Sequence, residues 1–148
     1  MTTADPRILI VEARFYEDIS DALAGAALAE IERRGGHGER VAVPGAFEIP
    51  GAIALADAGG KAFDGYVALG CVIRGETSHY DYVCGESARG LMDLTTNRHL
   101  AIGYGILTVE NRDQAWARAG GAKGNKGTDA AAACLDMIEL KHRLGAKV

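Results

Sequence analysis

No stretch of this chain approaches the roughly 18 consecutive apolar residues that a membrane-spanning helix needs. The opening MTTADPRIL also lacks the charged segment followed by an apolar one that marks a secretory leader. The expectation is therefore a cytoplasmic protein with no membrane partner. A basic surplus is missing too: 16 Lys and Arg stand against 20 Asp and Glu, a formal net charge of −4. Such a chain has little with which to neutralise a phosphate backbone, which argues against nucleic acid. Cysteine is sparse, with three widely spaced residues at positions 71, 84 and 134 and no CxxC pair. That argues against a disulfide framework or a zinc knuckle, leaving three reduced thiols and no metal. Proline occurs only 3 times, and the 20 glycines cluster between apolar runs without a fixed period. Collagen and solenoid architectures are thereby excluded.

What the chain does have is 48% hydrophobic residues in a length of 148, enough for one domain spanning 1–148 with its own core. Residues 8–11 form a continuous apolar run, as expected of a strand buried on both faces. From 19 to 34 the spacing becomes helical through Ile19, Leu23, Ala26, Ala27 and Ile31, and Gly35 with Gly36 stops the helix. Residues 40–43 read as a second strand ended by Pro44 and Gly45, 49–58 as a helix of small residues, and 66–73 as the third strand. Ser78 and Asp81 have the spacing of a capping box for a long helix carrying Val83, Cys84, Ser87, Leu91 and Leu94. The fourth strand is predicted over 101–109, where Gly103 and Gly105 imply that something approaches the backbone closely. A short helix over 112–119, a loop through AGGAKGNKG and a last helix over 128–144 complete the chain, with residues 1–7 a short flexible lead-in.

Strands alternating with helices predict an α/β fold with a parallel sheet covered on both faces. In such sheets ligands sit beyond the carboxyl ends of the strands. The residues that follow the four strands are Ala13, Arg14 and Phe15, then Gly45 to Glu48, then Arg74 to His79, then Glu110 and Asn111. Each has two readings. Thr77 and Ser78 at a helix start either favour an anion or merely cap the helix, and Glu76 and Asp81 would repel an anion. His79 is either a general acid–base or a surface histidine. Phe15 and Phe47 either pack in the core or offer flat faces to a heterocycle. Glu48 either accepts hydrogen bonds from a polyol or amide edge or complements a helix dipole. Arg118, Lys123 and Lys126 form either a solvated basic face or a set of phosphate contacts. GAKGNKGT is not a Walker A loop, because Gly127 separates Lys126 from Thr128 and a helix precedes it. GYGILT lies inside a strand and lacks the third glycine of a dinucleotide fingerprint.

Five segments carry a resemblance: ARF at 13–15, PGAFEIPG at 44–51, GCVIRGETSHYDYV at 70–83, LTVEN at 107–111 and RAGGAKGNKG at 118–127. In order and interval they closely resemble the lumazine synthase family, over nearly the whole chain. The resemblance implies a flavodoxin-like three-layer α/β/α sandwich with a four-stranded parallel sheet. It implies a transferase that needs no cofactor and condenses 5-amino-6-(D-ribitylamino)uracil with 3,4-dihydroxy-2-butanone 4-phosphate to 6,7-dimethyl-8-ribityllumazine and phosphate, the penultimate step of riboflavin biosynthesis. By the same likeness Phe15 stacks on the pyrimidine, Ala46, Phe47 and Glu48 hold the ribityl chain, and backbone around Cys71, Val72 and Ile73 meets the ring edge. His79 carries protons, Glu76 and Thr77 lie at the keto-phosphate, and Arg118 binds its phosphate with Lys126 nearby. Tyr104, Arg118 and Lys126 are supplied by a neighbouring subunit, so the site needs a homo-oligomer. Glu76 departs from the small residue commonest there; it lowers phosphate affinity or makes contact only through its backbone N–H. The family forms pentamers, decamers and hollow icosahedral particles, and riboflavin synthase is an implied partner. The short segment before Ile8, with Pro6 in it, leaves little chain to add a strand to a neighbouring sheet, which favours the pentamer. Two other classes stay open: a non-catalytic flavin- or lumazine-binding carrier, and a shell-forming protein on the same fold.

Overall fold

The computed structural model describes residues 5–60 and 62–146. Residues 1–4 of the expected lead-in lie outside the described residues. Within the remainder, Pro6 is buried, its carbonyl accepts the His37 N–H at 2.9 Å, and the first strand already begins at Arg7.

Strand β1 (Arg7–Ala13) leads through helix α1 (Glu17–Arg33) to β2 (His37–Val43); a 3-10 turn (Ala46–Glu48) then opens α2 (Ile49–Ala58) and leads to β3 (Gly65–Ile73). Helix α3 (His79–Asn97), β4 (Ile102–Val109), α4 (Arg112–Arg118), the short strands β5 (Ala119–Gly121) and β6 (Gly124–Asn125), and α5 (Lys126–Arg143) follow. The main sheet is parallel throughout, in the order β2-β1-β3-β4. Alternation along the strands divides the core. Ile8, Ile10, Val67 and Leu69 face α1 and α5, while Leu9, Val11, Tyr66 and Ala68 face α2 and α3. Both faces are covered, which is why β1 and β3 read as unbroken apolar runs, and the result is the expected three-layer flavodoxin-like sandwich.

The glycines of β4 are explained by α5. A Cβ at Gly103 would run into the carbonyl of Ala130, and one at Gly105 would stand 3.0 Å from the Ala130 Cβ and 2.7 Å from Leu69 Cδ2. Three local expectations are corrected. Ser78 makes no capping bond because its φ −74°, ψ 0° backbone is not the extended form that aims a side chain at the helix N–H groups. The Thr77 hydroxyl accepts the His79 N–H instead, at 3.3 Å, and Asp81 turns to Arg74 at 3.5 Å. The glycine-rich loop is an antiparallel hairpin, β5 with β6. Helix α5 starts at Lys126, two residues before the expected Thr128, because Asn125 caps it by accepting the Gly127 N–H at 2.8 Å.

A charged network lies beneath the end of β1. Glu12, 2% exposed, is bonded by Arg40 through two nitrogens, by Arg14 at 2.7 Å and by the Ser20 hydroxyl at 3.3 Å. Burial alone would raise its pKa, but the bonds and charges of Arg40 and Arg14 outweigh burial and hold it below its ordinary 4.5. With the folded value depressed, Glu12 contributes its full stability above the unfolded value and loses it as pH falls through the folded one. Glu12→Gln is expected to cost about 2–3 kcal/mol at pH 7, less than a wholly buried pair would lose because both arginines keep contact with water. Urea unfolding of both proteins at neutral pH and at about pH 3 checks this, since the gap should narrow in acid. An equal gap at both pH values would overturn it.

Candidate active site

The carboxyl ends of β1, β2 and β3 converge on a cleft of about 310 Å³. From β1 comes the Phe15–Tyr16 loop, from β2 the turn holding Ala46, Phe47 and Glu48, and from β3 Cys71, Val72 and Ile73 with His79 on the first turn of α3. Phe15 is 73% exposed and Phe47 55%, so neither packs in the core and both present ring surface at the cleft. Phe15 meets Tyr16 edge-on, with centroids 4.9 Å apart. Glu48 makes no side-chain capping bond to α2. Gly70 lies close behind the floor, where a Cβ would be 3.3 Å from that of Ala13 and 3.7 Å from that of Ala46. Burial pushes the Cys71 thiol up to about 11, so it is a protonated part of the floor and not a nucleophile at neutral pH. His79 is exposed at the cleft, one helical turn before Val83, which shares the lining.

A second hollow, about 230 Å³, runs along β4 and is lined by Tyr104 to Val109 together with Arg118 and Lys126. Strand β4 is an edge of the sheet. Among the described residues Arg118 donates only to the Gln114 carbonyl, at 3.0 Å, and has no carboxylate partner. Lys126 reaches Asp129 at 3.4 Å. Arg74, by contrast, is taken up by Glu110 at 3.1 Å and Asp81 at 3.5 Å and lies 4.2 Å from the Tyr80 ring centre. Its charge is already answered.

The candidate residues thus fall into two groups on one chain. Phe15, Ala46, Phe47, Glu48, Cys71, Val72, Ile73 and His79 share the cleft, whereas Tyr104, Arg118 and Lys126 share the edge hollow. Glu76 and Thr77 stand exposed in the loop before α3 and line neither, and Lys123 stands exposed in the β5–β6 turn. As residues lining the cleft, Tyr16 and Val83 are not marked by the sequence reading, which places Val83 only on a helical stripe. A residue following Phe15 in a strand-end loop, and one four positions after His79 on the same helix face, are the signals that point to them. Among the described residues no three His, Cys, Asp or Glu side chains are placed to hold a metal, and no helix is long and apolar enough to cross a membrane.

A parallel α/β sandwich with an aromatic-walled cleft at its strand ends and a cationic hollow on its edge has the form of a flavodoxin-like protein. Residues 5–142 match the family model described as 6,7-dimethyl-8-ribityllumazine synthase, and the chain belongs to that family. It is 58% identical over 144 residues to 6,7-dimethyl-8-ribityllumazine synthase 1 of Rhizobium meliloti (strain 1021), covering 95% of this chain and 94% of that one. Against the 6,7-dimethyl-8-ribityllumazine synthase of Bartonella henselae the figures are 59% over 139 residues, 93% and 90%. Against that of Agrobacterium fabrum they are 55% over 144 residues, 95% and 97%.

Proposed function

We propose that this chain condenses 5-amino-6-(D-ribitylamino)uracil with 3,4-dihydroxy-2-butanone 4-phosphate to give 6,7-dimethyl-8-ribityllumazine, phosphate and two waters, as a cytoplasmic homopentamer that needs no cofactor. The observation that carries the reading is the pair of exposed phenylalanines at a cleft that also holds His79, in a member of this family.

In this reading the pyrimidine lies on Phe15 with its edge at the backbone of Cys71, Val72 and Ile73, and its ribityl chain runs along Ala46, Phe47 and Glu48. Tyr104, Arg118 and Lys126 reach the same site from the neighbouring subunit, the arginine holding the phosphate. Two hollows on one chain, the second on an open sheet edge, support such a shared site. Glu76 and Thr77 border the keto-phosphate through the loop before α3. The 5-amino group attacks the ketone, water leaves to form an imine, and phosphate departs by β-elimination. The ribitylamine nitrogen then closes the ring with loss of a second water. Every step moves a proton, and imidazole is the side chain suited to giving and taking protons near neutrality.

The test is to mix both substrates with the protein and follow lumazine absorbance and fluorescence against the uncatalysed reaction. Acceleration that requires both substrates supports the synthase; product that binds without being made faster overturns it in favour of a carrier. His79→Ala should lower kcat about 10²-fold without abolishing turnover, since holding two reactants together contributes separately. Unchanged kcat would remove His79 from the chemistry. Sedimentation tests the assembly, and a particle on the order of a megadalton would overturn the pentamer.

A further inference from the structure

With 73% of Phe15 exposed, almost nothing packs on its ring, and its position depends on the loop that carries it. That loop is tied down from behind. The Arg14 guanidinium donates to Glu12 at 2.7 Å and to Asp21 at 2.8 Å, joining the end of β1 to the second turn of α1. Tyr16, against which Phe15 rests, lies under the Arg112 guanidinium at 5.5 Å, and Arg112 is in turn held by Asp18 at 2.6 Å. None of Glu12, Arg14 and Asp21 lines the cleft. Glu12 would stay bonded without Arg14, because Arg40 and Ser20 already donate to its two oxygens. The extra bond from Arg14 therefore adds less to the burial of Glu12 than to the fixing of the loop.

Resting on the reading that Phe15 stacks on the pyrimidine, we propose that Arg14 is a positioning residue for pyrimidine recognition, clamped on buried Glu12 and on Asp21 so that the Phe15 face is set before substrate arrives. A ring ordered in advance gives up less freedom on binding, so the clamp acts on affinity for the heterocycle and leaves the phosphate end and the proton transfers untouched. Arg40 shares both anchors, bonding Glu12 through two nitrogens and Asp21 at 3.5 Å, but lies on β2 and not in the loop, and so separates positioning from stability.

The experiment is steady-state kinetics on the full-length assembled protein and on its Phe15→Ala, Arg14→Gln, Arg14→Lys and Arg40→Gln variants, each with a melting curve. Arg14→Gln should raise KM for the ribitylamino-pyrimidine about five- to tenfold, with kcat and the keto-phosphate KM within about twofold. Arg14→Lys, keeping a cation but not the planar fork, should recover part of that loss. Arg40→Gln should lower the melting temperature and leave the pyrimidine KM within about twofold. An unchanged pyrimidine KM in Arg14→Gln while Phe15→Ala raises it would overturn the clamp alone. An equal rise in Arg40→Gln would also overturn it, showing only a general loosening. Should Phe15→Ala leave that KM unchanged, the assigned ring site falls and the clamp with it.

Discussion

Reassembling Arg118→Ala with His79→Ala in equal amounts is expected to restore about a quarter of wild-type activity from two variants that each have little. Arg118→Ala alone should lose on the order of 10³-fold in kcat/KM for the keto-phosphate, because in the proposed site it leaves the phosphate dianion without its guanidinium partner. The loss should fall on KM and kcat together, since the phosphate is both the anchor and the leaving group. The structure separates this arginine from Arg74 by charge: Arg74 is answered by Glu110 and Asp81, whereas among the described residues Arg118 bonds only the Gln114 carbonyl. Recovery on mixing follows from the two hollows. In the proposed head-to-tail ring each cleft would face the β4 edge of a neighbour. A site is whole when an Arg118→Ala chain contributes the cleft and a His79→Ala chain the edge, as in one random pairing in four. If one chain held a complete site, mixing would recover nothing. A normal keto-phosphate KM in Arg118→Ala would sink the assignment of that residue.

Gly103→Ala should scarcely fold. The added Cβ would meet the Ala130 carbonyl, a backbone atom in the first turns of α5 that no side-chain rotation can move aside. Relief requires the helix to lift from β4, which would open the part of the core where Ala131, Cys134 and Leu135 cluster with Val67 and Leu69. Overpacking by one methyl ordinarily costs about 1–3 kcal/mol, and a clash with backbone exceeds that range, so about 4 kcal/mol or more is expected. That is a large share of the roughly 5–15 kcal/mol that holds a domain of this kind together. Insolubility, or a melting temperature lowered by about 10 °C or more, is the outcome to measure. Gly25→Ala is the control. It lies exposed inside α1 with nothing within 4 Å of the new methyl, and should be neutral or raise stability by up to about 1 kcal/mol. Wild-type melting in Gly103→Ala would overturn the close packing of α5 on β4.

Part of this packing is legible in the sequence itself. Gly103 and Gly105 announced a close neighbour because a strand has no other reason to give up side chains there, although nothing in the pattern identified α5. Strands β1 and β3 were legible because both faces are buried. The first half of β2 was not: His37, Gly38 and Glu39 lie on an edge strand whose sheet neighbour is β1, so no apolar signal marks them. The β5–β6 hairpin was missed because glycines and small residues carry no alternation. At the cleft, residue type and strand-end position named most of the lining. That Phe15 and Phe47 are exposed, and that Arg74 is neutralised by Glu110 from the end of the next strand, depends on tertiary contacts that no local pattern encodes.

The order β2-β1-β3-β4 gives the cleft its own history. After β1 the chain leaves over one face of the sheet with α1, and it enters β3 from the other face after α2, so the two connections part company above the seam between β1 and β3. The crevice is therefore a property of the winding and does not depend on which side chains border it. Residues 14–16, 44–48 and 74–78 can drift toward other ligands while the strands beneath them keep their register. A lineage that duplicated this chain could change what the crevice accepts at little risk to the scaffold, so new specificities should arise first in those three loops.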